Sequence, residues 1–228
     1  MKIVILTGAG ISAESGLGTF RDKGGVWTQH DFAEVATPEG FARDPAKVHA
    51  FYNARRANAA AAKPNAAHFA LARLQATNDV ETFIVTQNVD GLHEAAGAQV
   101  LHMHGALDQA ICAACNARWE APVEMTAEDA CPFCAETATR PDITWFGEIP
   151  KGLRQIEEAL LSADIFAAIG TSGQVYPAAG FVEIAKRVGA VTLEVNAEAT
   201  GNSLFDEVVL GPASETVPAL VERFLNAL

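Results

Sequence analysis

Short runs of β-branched and aliphatic residues recur along the chain, and each run ends in small or polar residues. Residues 3–6 lead into a glycine turn, and residues 82–85 lead into a polar segment, residues 86–90. Uninterrupted apolar runs of this length are typical of buried parallel strands. Three later runs predict further strands: residues 164–169, 191–195 and 208–210.

Segments with helical spacing separate these strands. The clearest is predicted at residues 45–62, with Asp44 as N-cap and Pro45 at the first helical position. One face of this helix carries apolar residues and an arginine three or four positions apart, namely Val48, Phe51, Tyr52 and Arg55. Further helices are predicted at residues 65–75, at residues 181–188 and after Ser214, which we expect to cap the last helix. His68 is expected to be a partly buried structural residue.

Alternating strands and helices predict an α/β fold with a Rossmann-like, doubly wound parallel sheet. The carboxyl ends of parallel strands meet at one crevice, so the residues that follow them should be neighbours. These residues are Gly8, Asn88, Thr171, Ser172 and Asn196. We expect a single domain, residues 1–228, with a larger lobe of residues 1–30, 64–110 and 141–228. Residues 31–63 and 111–140 would form a smaller lobe from a helical insertion and a cysteine module.

Composition narrows the possible partners. The 228 residues are 50% hydrophobic and 19% charged, which is globular composition, and the formal net charge is −12. Nucleic acids and anionic membranes demand a basic surface, so both are disfavoured as partners. The first apolar run is too short for a secretory signal, and no segment approaches the roughly 18 apolar residues of a membrane span. We therefore expect a cytoplasmic location.

The four cysteines form two Cys-x-x-Cys pairs, Cys112 with Cys115 and Cys131 with Cys134, separated by fifteen residues. This spacing predicts a tetrahedral zinc site, and it disfavours free or redox-active thiols. Four thiolate ligands leave no open position for water, so the metal should be structural.

The glycine turn Gly8-Ala9-Gly10 follows a strand, as in nucleotide-binding sites, where glycines let the backbone approach a pyrophosphate before a helix N-terminus. Ala13 stands where a third glycine is usual, and the segment before Asp31 does not resemble a strand, so an ordinary dehydrogenase is disfavoured. The glycine-rich segment 14–27, with Phe20 and Arg21, predicts a lid over a ligand. A surface loop with one anchoring aromatic residue is the alternative.

The segment 86–104 supports two interpretations. Asn88 and Asp90 suit turns and helix caps. An amide, a carboxylate and, at its end, His104 beside Gly105 also suit catalysis at the carboxyl end of a strand. The residues alone do not decide between them.

An ordered set of motifs gives the sequence a specific resemblance. The motifs are Gly8-Ala9-Gly10-Ile11-Ser12, Thr19-Phe20-Arg21, Gln87-Asn88-Val89-Asp90, His102-Met103-His104-Gly105, the paired Cys-x-x-Cys and Gly170-Thr171-Ser172. They occur in this order in sirtuins, and the chain resembles a bacterial sirtuin from Lys2 almost to its C-terminus. The resemblance implies an NAD-dependent protein-lysine deacylase that transfers the acyl group to ADP-ribose and releases nicotinamide, with NAD as co-substrate and one structural zinc ion.

The resemblance also implies residue roles. His104 would be the general base toward a ribose hydroxyl, Asn88 would orient the ribose, and Asp90 with the Ile11 backbone would hold the nicotinamide carboxamide. Phe20 would shield the sugar, and Arg21 would stabilise the cofactor. The other implied cofactor contacts are Gly8, Ala9, Gly10, Ser12, Trp27, Gln87, Gly170, Thr171, Ser172, Asn196 and Ala213.

Substrates would be acyl-lysine proteins bound as an extended peptide. Trp145-Phe146-Gly147-Glu148 resembles the family's substrate strand, which pairs with the peptide, and Val175 and Tyr176 would also contact it. The Tyr52-x-x-Arg55 pair lies in the acyl-binding region of members that remove succinyl and malonyl groups, and implies activity on succinyl, malonyl and acetyl lysine. The alternatives are a silent NAD- or ADP-ribose-binding module and a mono-ADP-ribosyltransferase. We expect a monomer.

Overall fold

A six-stranded parallel sheet forms the centre of the larger lobe. The computed structural model describes residues 1–18 and 31–227. The strands are β1 (Lys2–Thr7), β2 (Glu81–Thr86), β3 (Val100–His102), β7 (Ile165–Ile169), β8 (Val191–Asn196) and β9 (Glu207–Leu210). They pair in the order β3-β2-β1-β7-β8-β9, and the order reverses beside β1. The doubly wound sheet predicted from the apolar runs is confirmed, and β3 is an addition to the predicted strands.

Helices cover both faces of this sheet. Successive side chains of a strand point to opposite faces. Ile3 and Ile5 of β1 accordingly pack into one apolar core, whereas Val4 and Leu6 pack into another. The first core lies against α4 (Ala66–Gln75) and α8 (Ala213–Asn226), and the second lies against α6 (Leu153–Leu160) and α7 (Phe181–Arg187). Because β1 is buried on both faces, its residues 3–6 are all apolar instead of alternating with polar residues.

The N-termini of α4 and α8 each differ from the prediction in one detail. Asn65 caps α4, and the His68 side chain accepts a hydrogen bond from the Asn65 N–H in return. His68 is thus structural, as predicted, but it is fully buried and not partly buried. Helix α8 begins at Ala213, so Ser214 lies inside the first turn and is not the cap. Its hydroxyl donates to Glu14 at 2.6 Å, and its backbone N–H donates to the same carboxylate.

The smaller lobe combines short helices with an antiparallel sheet. Its helices are α1 (Phe32–Val35), α2 (Pro38–Arg43) and α3 (Pro45–Ala61). Its strands β4 (Gly105–Cys112), β5 (Arg118–Glu120) and β6 (Thr139–Ile143) pair in the order β5-β4-β6. Strand β4 begins before residue 111 and β6 ends after residue 140, so both strands cross the predicted boundaries of this lobe. A third apolar core, which includes Val48, Phe51, Tyr52, Leu107 and Trp145, joins α3 to this sheet. The remaining helix, α5 (Leu92–Ala95), follows the polar segment after β2.

Arg56 fastens α3 to the rest of the molecule. The side chain of Arg56 is buried. Its Nε donates to the Leu107 carbonyl at 2.7 Å, and its Nη1 donates to the Asn53 side chain at 2.9 Å.

In the part of the chain that the structure describes, no helix has both the length and the apolar character that a bilayer crossing requires.

Candidate active site

The loops after β1 and β7 touch at the carboxyl edge of the sheet, where the strand order reverses. The Gly10 N–H donates to the Gly170 carbonyl at 2.8 Å, and a Cβ on Gly10 would lie 2.6 Å from the Gly170 Cα. Gly170 has φ +63°, in the left-handed region that favours glycine. These glycines therefore let two loops meet, which the motif alone did not indicate. In place of the expected helix, two 3-10 turns, Ala9–Ile11 and Ala13–Ser15, form here.

Ser12 lies at the centre of a buried polar cluster. Its hydroxyl donates to Asp90 Oδ2 at 3.1 Å and accepts from Asn88 Nδ2 at 3.2 Å. Asn88 Nδ2 also donates to the Gly8 carbonyl at 3.1 Å. Because a carbonyl can only accept, this contact identifies the amide nitrogen and leaves Asn88 Oδ1 as the group available to a hydroxyl donor.

The two carboxylate oxygens of Asp90 have different partners. Asp90 Oδ1 accepts from the Leu92 N–H at 3.1 Å, which is the turn chemistry that the sequence suggested. Its other oxygen faces Ser12, inside the buried cluster. A carboxylate oxygen has more than one acceptor position, so Asp90 can serve the turn and a further donor together.

His104 is oriented by a backbone carbonyl. Its Nδ1 lies 3.1 Å from the Gln87 carbonyl oxygen, which can only accept, so Nδ1 carries the hydrogen. The neutral ring then has its lone pair on Nε2. Burial lowers the pKa of His104 below the ordinary 6.5, although the Gln87 contact acts in the opposite direction. A neutral imidazole with Nε2 free to accept a proton is the form that a general base requires.

Hydrogen bonds link the loops that follow β2 and β7 to the end of β8. The Thr171 hydroxyl donates to Gln87 Oε1 at 2.7 Å, and Asn196 Nδ2 donates to the Thr171 carbonyl at 3.0 Å. The structure thus brings Gly8, Asn88, Thr171 and Asn196 together as expected, with Ser172 next in the chain. Ala213 begins α8 beside the Glu14–Ser214 contact.

Glu194 is a buried residue that sequence reasoning missed. It is almost inaccessible to solvent, and its carboxylate accepts from Asn196 Nδ2 and from the Thr200 N–H and hydroxyl. It therefore fixes the loop that follows β8. An acidic residue within an otherwise apolar strand was the available signal, because such a residue is seldom buried without partners.

Tyr52 and Arg55 lie together on α3, as their spacing predicted. The Arg55 guanidinium lies 5.9 Å from the Tyr52 ring centroid and 5.8 Å from that of Phe51. The Trp145 indole N–H donates to the Tyr52 hydroxyl oxygen at 3.0 Å. With this acceptor position filled by Trp145, the hydroxyl hydrogen of Tyr52 is directed to another partner. Burial lowers the pKa of Arg55, whereas Tyr52 and Asp90 raise it.

The predicted substrate strand is a turn in this structure. Residues 145–148 follow β6, the Glu148 N–H donates to the Trp145 carbonyl at 3.0 Å, and Gly147 has φ +91°. The Glu148 carboxylate accepts both Nη groups of Arg140 at 2.7 and 2.9 Å, and Arg140 also covers the Trp145 ring. Glu148 therefore shapes the turn.

Apolar side chains are exposed in this turn and in a later segment of the chain. Phe146 is 43% exposed and packs edge to face on Phe32, and its N–H donates to the Ala36 carbonyl at 2.9 Å. Val175 and Tyr176 are also exposed. The predicted cofactor residues Phe20, Arg21 and Trp27 lie outside the described residues.

The four cysteines come together at the end of β4. All four Sγ atoms lie within 4.8 Å of one another, and the Cys112–Cys134 and Cys115–Cys131 pairs are each 3.7 Å apart. Four sulfurs at about 2.3 Å from a zinc ion would be about 3.8 Å apart in a regular tetrahedron. Each knuckle ends in a left-handed residue, Asn116 or Ala135. The cysteines therefore form a closed group suited to one zinc ion.

Comparison with known proteins gives a consistent result. The sequence pattern of the Sir2 family matches residues 8–177. An NAD-dependent protein deacylase of Caulobacter vibrioides is 57% identical, over 100% of this chain and 98% of its own. An NAD-dependent protein deacylase of Escherichia coli (strain K12) is 51% identical, over 100% of this chain and 83% of its own.

Solved structures agree with these relatives. A Sir2 homolog–NAD complex is 37% identical and superposes with a TM-score of 0.89, over 99% of this chain and 90% of its own. A Sir2 bound to acetylated peptide is 27% identical, with a TM-score of 0.82 over 97% of this chain and 92% of its own. The chain therefore belongs to the Sir2 family, the sirtuins.

Proposed function

We propose that this chain is an NAD-dependent protein-lysine deacylase that removes succinyl, malonyl and acetyl groups. The observation that carries the proposal is His104, whose Nδ1–H is held by the Gln87 carbonyl beside the buried Asn88–Ser12–Asp90 cluster. Simple binding of NAD would not require a neutral base at this position. The deacylases of Caulobacter vibrioides and Escherichia coli, which match the whole chain, support the same reaction.

His104 is the proposed general base. Its Nε2 accepts the proton of a ribose hydroxyl, and the Gln87 carbonyl stabilises the positive charge that the ring then carries. The lowered pKa keeps His104 neutral at pH 7, so no proton has to be removed from the ring before the reaction.

Asn88 and Asp90 are proposed to hold the two ends of the nicotinamide riboside. Asn88 offers its Oδ1 to a sugar hydroxyl, because both hydrogens of its amide are engaged by Gly8 and Ser12. Asp90 offers an acceptor position to the carboxamide, next to the backbone of Ile11. When bound, NAD supplies an electrophilic sugar carbon from which nicotinamide leaves. The roles of Phe20, Arg21 and Trp27 stay predictions.

The remaining cofactor contacts are proposed at the linked loops. Gly170, Thr171, Ser172, Asn196 and Ala213 would face the adenosine half of NAD. The hydrogen bonds from Asn196 to Thr171 and from Thr171 to Gln87 connect this half to the catalytic loop, residues 87–90. An ordered backbone at this point reduces the entropy that binding would cost.

Tyr52 and Arg55 are proposed to select acyl groups that end in a carboxylate. The Arg55 guanidinium can bind a carboxylate through two parallel hydrogen bonds, and the Tyr52 hydroxyl, oriented by Trp145, can add a third. Neither contact is possible with an acetyl group. We therefore propose prominent activity on succinyl-lysine beside deacetylation.

Protein substrates are proposed to bind near the exposed residues Phe146, Val175 and Tyr176. The formal net charge of −12 favours basic peptides. The four-cysteine group would hold zinc as a structural ion that stabilises the smaller lobe. The lobe boundaries, the monomeric state and the cytoplasmic location stay predictions.

One experiment tests the proposal. Purified protein is incubated with NAD and peptides that carry acetyl-, malonyl-, succinyl- or unmodified lysine, and the products are identified by mass spectrometry. We expect nicotinamide, O-acyl-ADP-ribose and the deacylated peptide, and we expect them from the acylated peptides only. NAD binding without acyl removal from any peptide would contradict the proposal, and ADP-ribose attached to protein would indicate the transferase alternative.

A further inference from the structure

His102 contacts the catalytic loop in the same way as His104 but from two residues earlier. His102 Nδ1 lies 2.8 Å from the Asn88 carbonyl oxygen, as His104 Nδ1 lies 3.1 Å from that of Gln87. The two histidines therefore bind consecutive carbonyls of the loop. Met103, between them, points to the opposite side and is buried in the core of the larger lobe.

The two histidines differ in what faces Nε2. His102 Nε2 lies 2.8 Å from Glu94 Oε1, on α5. The Asn88 carbonyl can only accept a hydrogen bond, and an ionised carboxylate can likewise only accept one. Only the imidazolium has a hydrogen on both nitrogens, so only the charged form of His102 satisfies both contacts at once.

The surroundings favour this charge. Burial lowers the pKa of His102. The hydrogen bonds to Glu94 and to the Asn88 carbonyl and the negative charges of Glu94 and Asp90 raise it, and the net pKa lies above the ordinary 6.5. The other titratable group on α5 is His93, whose pKa of about 3 keeps it uncharged at pH 7. The His102 side chain is only 16% exposed, so water competes weakly for its hydrogens.

We infer that His102 is a positioning residue that acts as an imidazolium and, held by Glu94, fixes the backbone of Asn88 for catalysis. Asn88 is the residue whose side chain is proposed to orient the ribose, and its amide is already held by Gly8 and Ser12. The contact from His102 fixes the backbone carbonyl of the same residue. The expected effect on kcat/KM rests on the proposed deacylase function, whereas the protonation of His102 does not.

Loss of one proton from His102 should release Asn88. The remaining hydrogen would face Glu94, because a hydrogen bond to an ionised acceptor is about twice as strong as one to a neutral carbonyl. Nδ1 would then present a lone pair to the Asn88 carbonyl and repel it. In Glu94→Gln the acceptor is neutral and its amide can donate to Nε2, so neutral His102 keeps its hydrogen on Nδ1, toward Asn88.

The test measures protonation and activity in the full chain. Imidazole ¹⁵N NMR of the wild type should show His102 doubly protonated at pH 7 and protonated on Nε2 at alkaline pH. In Glu94→Gln the alkaline form should be protonated on Nδ1. The kcat/KM for NAD of the wild type should fall about two- to tenfold at alkaline pH, the range for one neutral hydrogen bond. Glu94→Gln should lack this decline.

Glu183→Gln is the matched control, because it removes the same charge from an exposed position on α7, and it should keep the wild-type pH profile. A wild-type His102 that is neutral at pH 7 would overturn the inference, as would a Glu94→Gln profile that declines like the wild type. If no peptide is deacylated, the proposed function fails, but the NMR signals still decide how His102 is protonated.

Discussion

Arg55→Met is the substitution that most directly tests acyl selectivity. The residue lies on α3, its guanidinium is close to the Tyr52 ring, and Tyr52 and Trp145 are 1% and 2% exposed. A succinyl carboxylate that reaches this place would pair with Arg55 largely out of contact with bulk water. Methionine retains most of the volume of the arginine stem, so the packing of α3 should survive.

The expected loss of kcat/KM follows from the desolvated environment in which Arg55 would pair with the succinyl carboxylate. Removing one partner of a desolvated charge pair costs about 2–4 kcal/mol. At about 1.4 kcal/mol for each factor of ten, kcat/KM for succinyl-lysine should fall about 30- to 1000-fold. Acetyl-lysine has no carboxylate, so its turnover should change by less than about tenfold. The assay compares acetyl and succinyl versions of one peptide at saturating NAD.

Two further variants separate specificity from folding. Arg56→Met removes the neighbouring arginine, which holds the Leu107 carbonyl, so it should lower the melting temperature and slow both substrates together. Trp145→Phe removes the donor to Tyr52 and should weaken succinyl-lysine turnover about two- to tenfold. Equal losses on both substrates in Arg55→Met would refute the reasoning, as would a wild type that does not accept succinyl-lysine.

The remaining predictions concern the base, the metal and buried histidine. His104→Ala should reduce deacylation about 100- to 10,000-fold at a nearly unchanged melting temperature, and activity near the wild-type value would remove His104 from the mechanism. Cys112→Ala should lose bound zinc, measured by elemental analysis, and unfold at lower temperature, whereas a stable zinc-free wild type would contradict a structural metal. His93 has a folded-state pKa of about 3, far below the ordinary 6.5 of an unfolded chain. The unfolded state therefore binds more protons between these values, and the free energy of unfolding should fall by up to about 1.4 kcal/mol per pH unit as pH decreases from about 6.5. Urea titrations at several pH values should show that the free energy of unfolding depends less on pH in His93→Gln than in the wild type. An equal pH dependence of the two proteins would count against a buried, neutral His93.

The sequence by itself determined the sheet and the zinc group. The strands predicted at residues 3–6, 82–85 and 191–195 agree with the observed β1, β2 and β8 to within a residue or so at either end. This was possible because parallel strands buried on both faces are nearly continuous runs of apolar residues. The spacing of the four cysteines likewise predicted a group that the structure brings within bonding distance of one ion.

Some elements were not predicted, or were predicted with another conformation. The helix α6 contains Leu153, Ile156 and Leu160 at helical spacing, a signal that was available. The strand β3 has only three residues, and residues 145–148 form a turn because Gly147 adopts a left-handed conformation. Periodicity needs several repeats to be recognised, so short elements are decided by their neighbours.

Only the tertiary structure decided which atoms of the polar residues remain available. The sequence placed Asn88, Asp90 and His104 near one strand end, but the carbonyls of Gly8 and Gln87 fix the Asn88 amide and the His104 tautomer. Glu94 similarly decides the charge of His102. A hydrogen bond forms between atoms that the fold brings within about 3 Å, and sequence separation does not determine that distance. The sequence therefore specified the chemical groups of the site, and the fold specified their protonation and orientation.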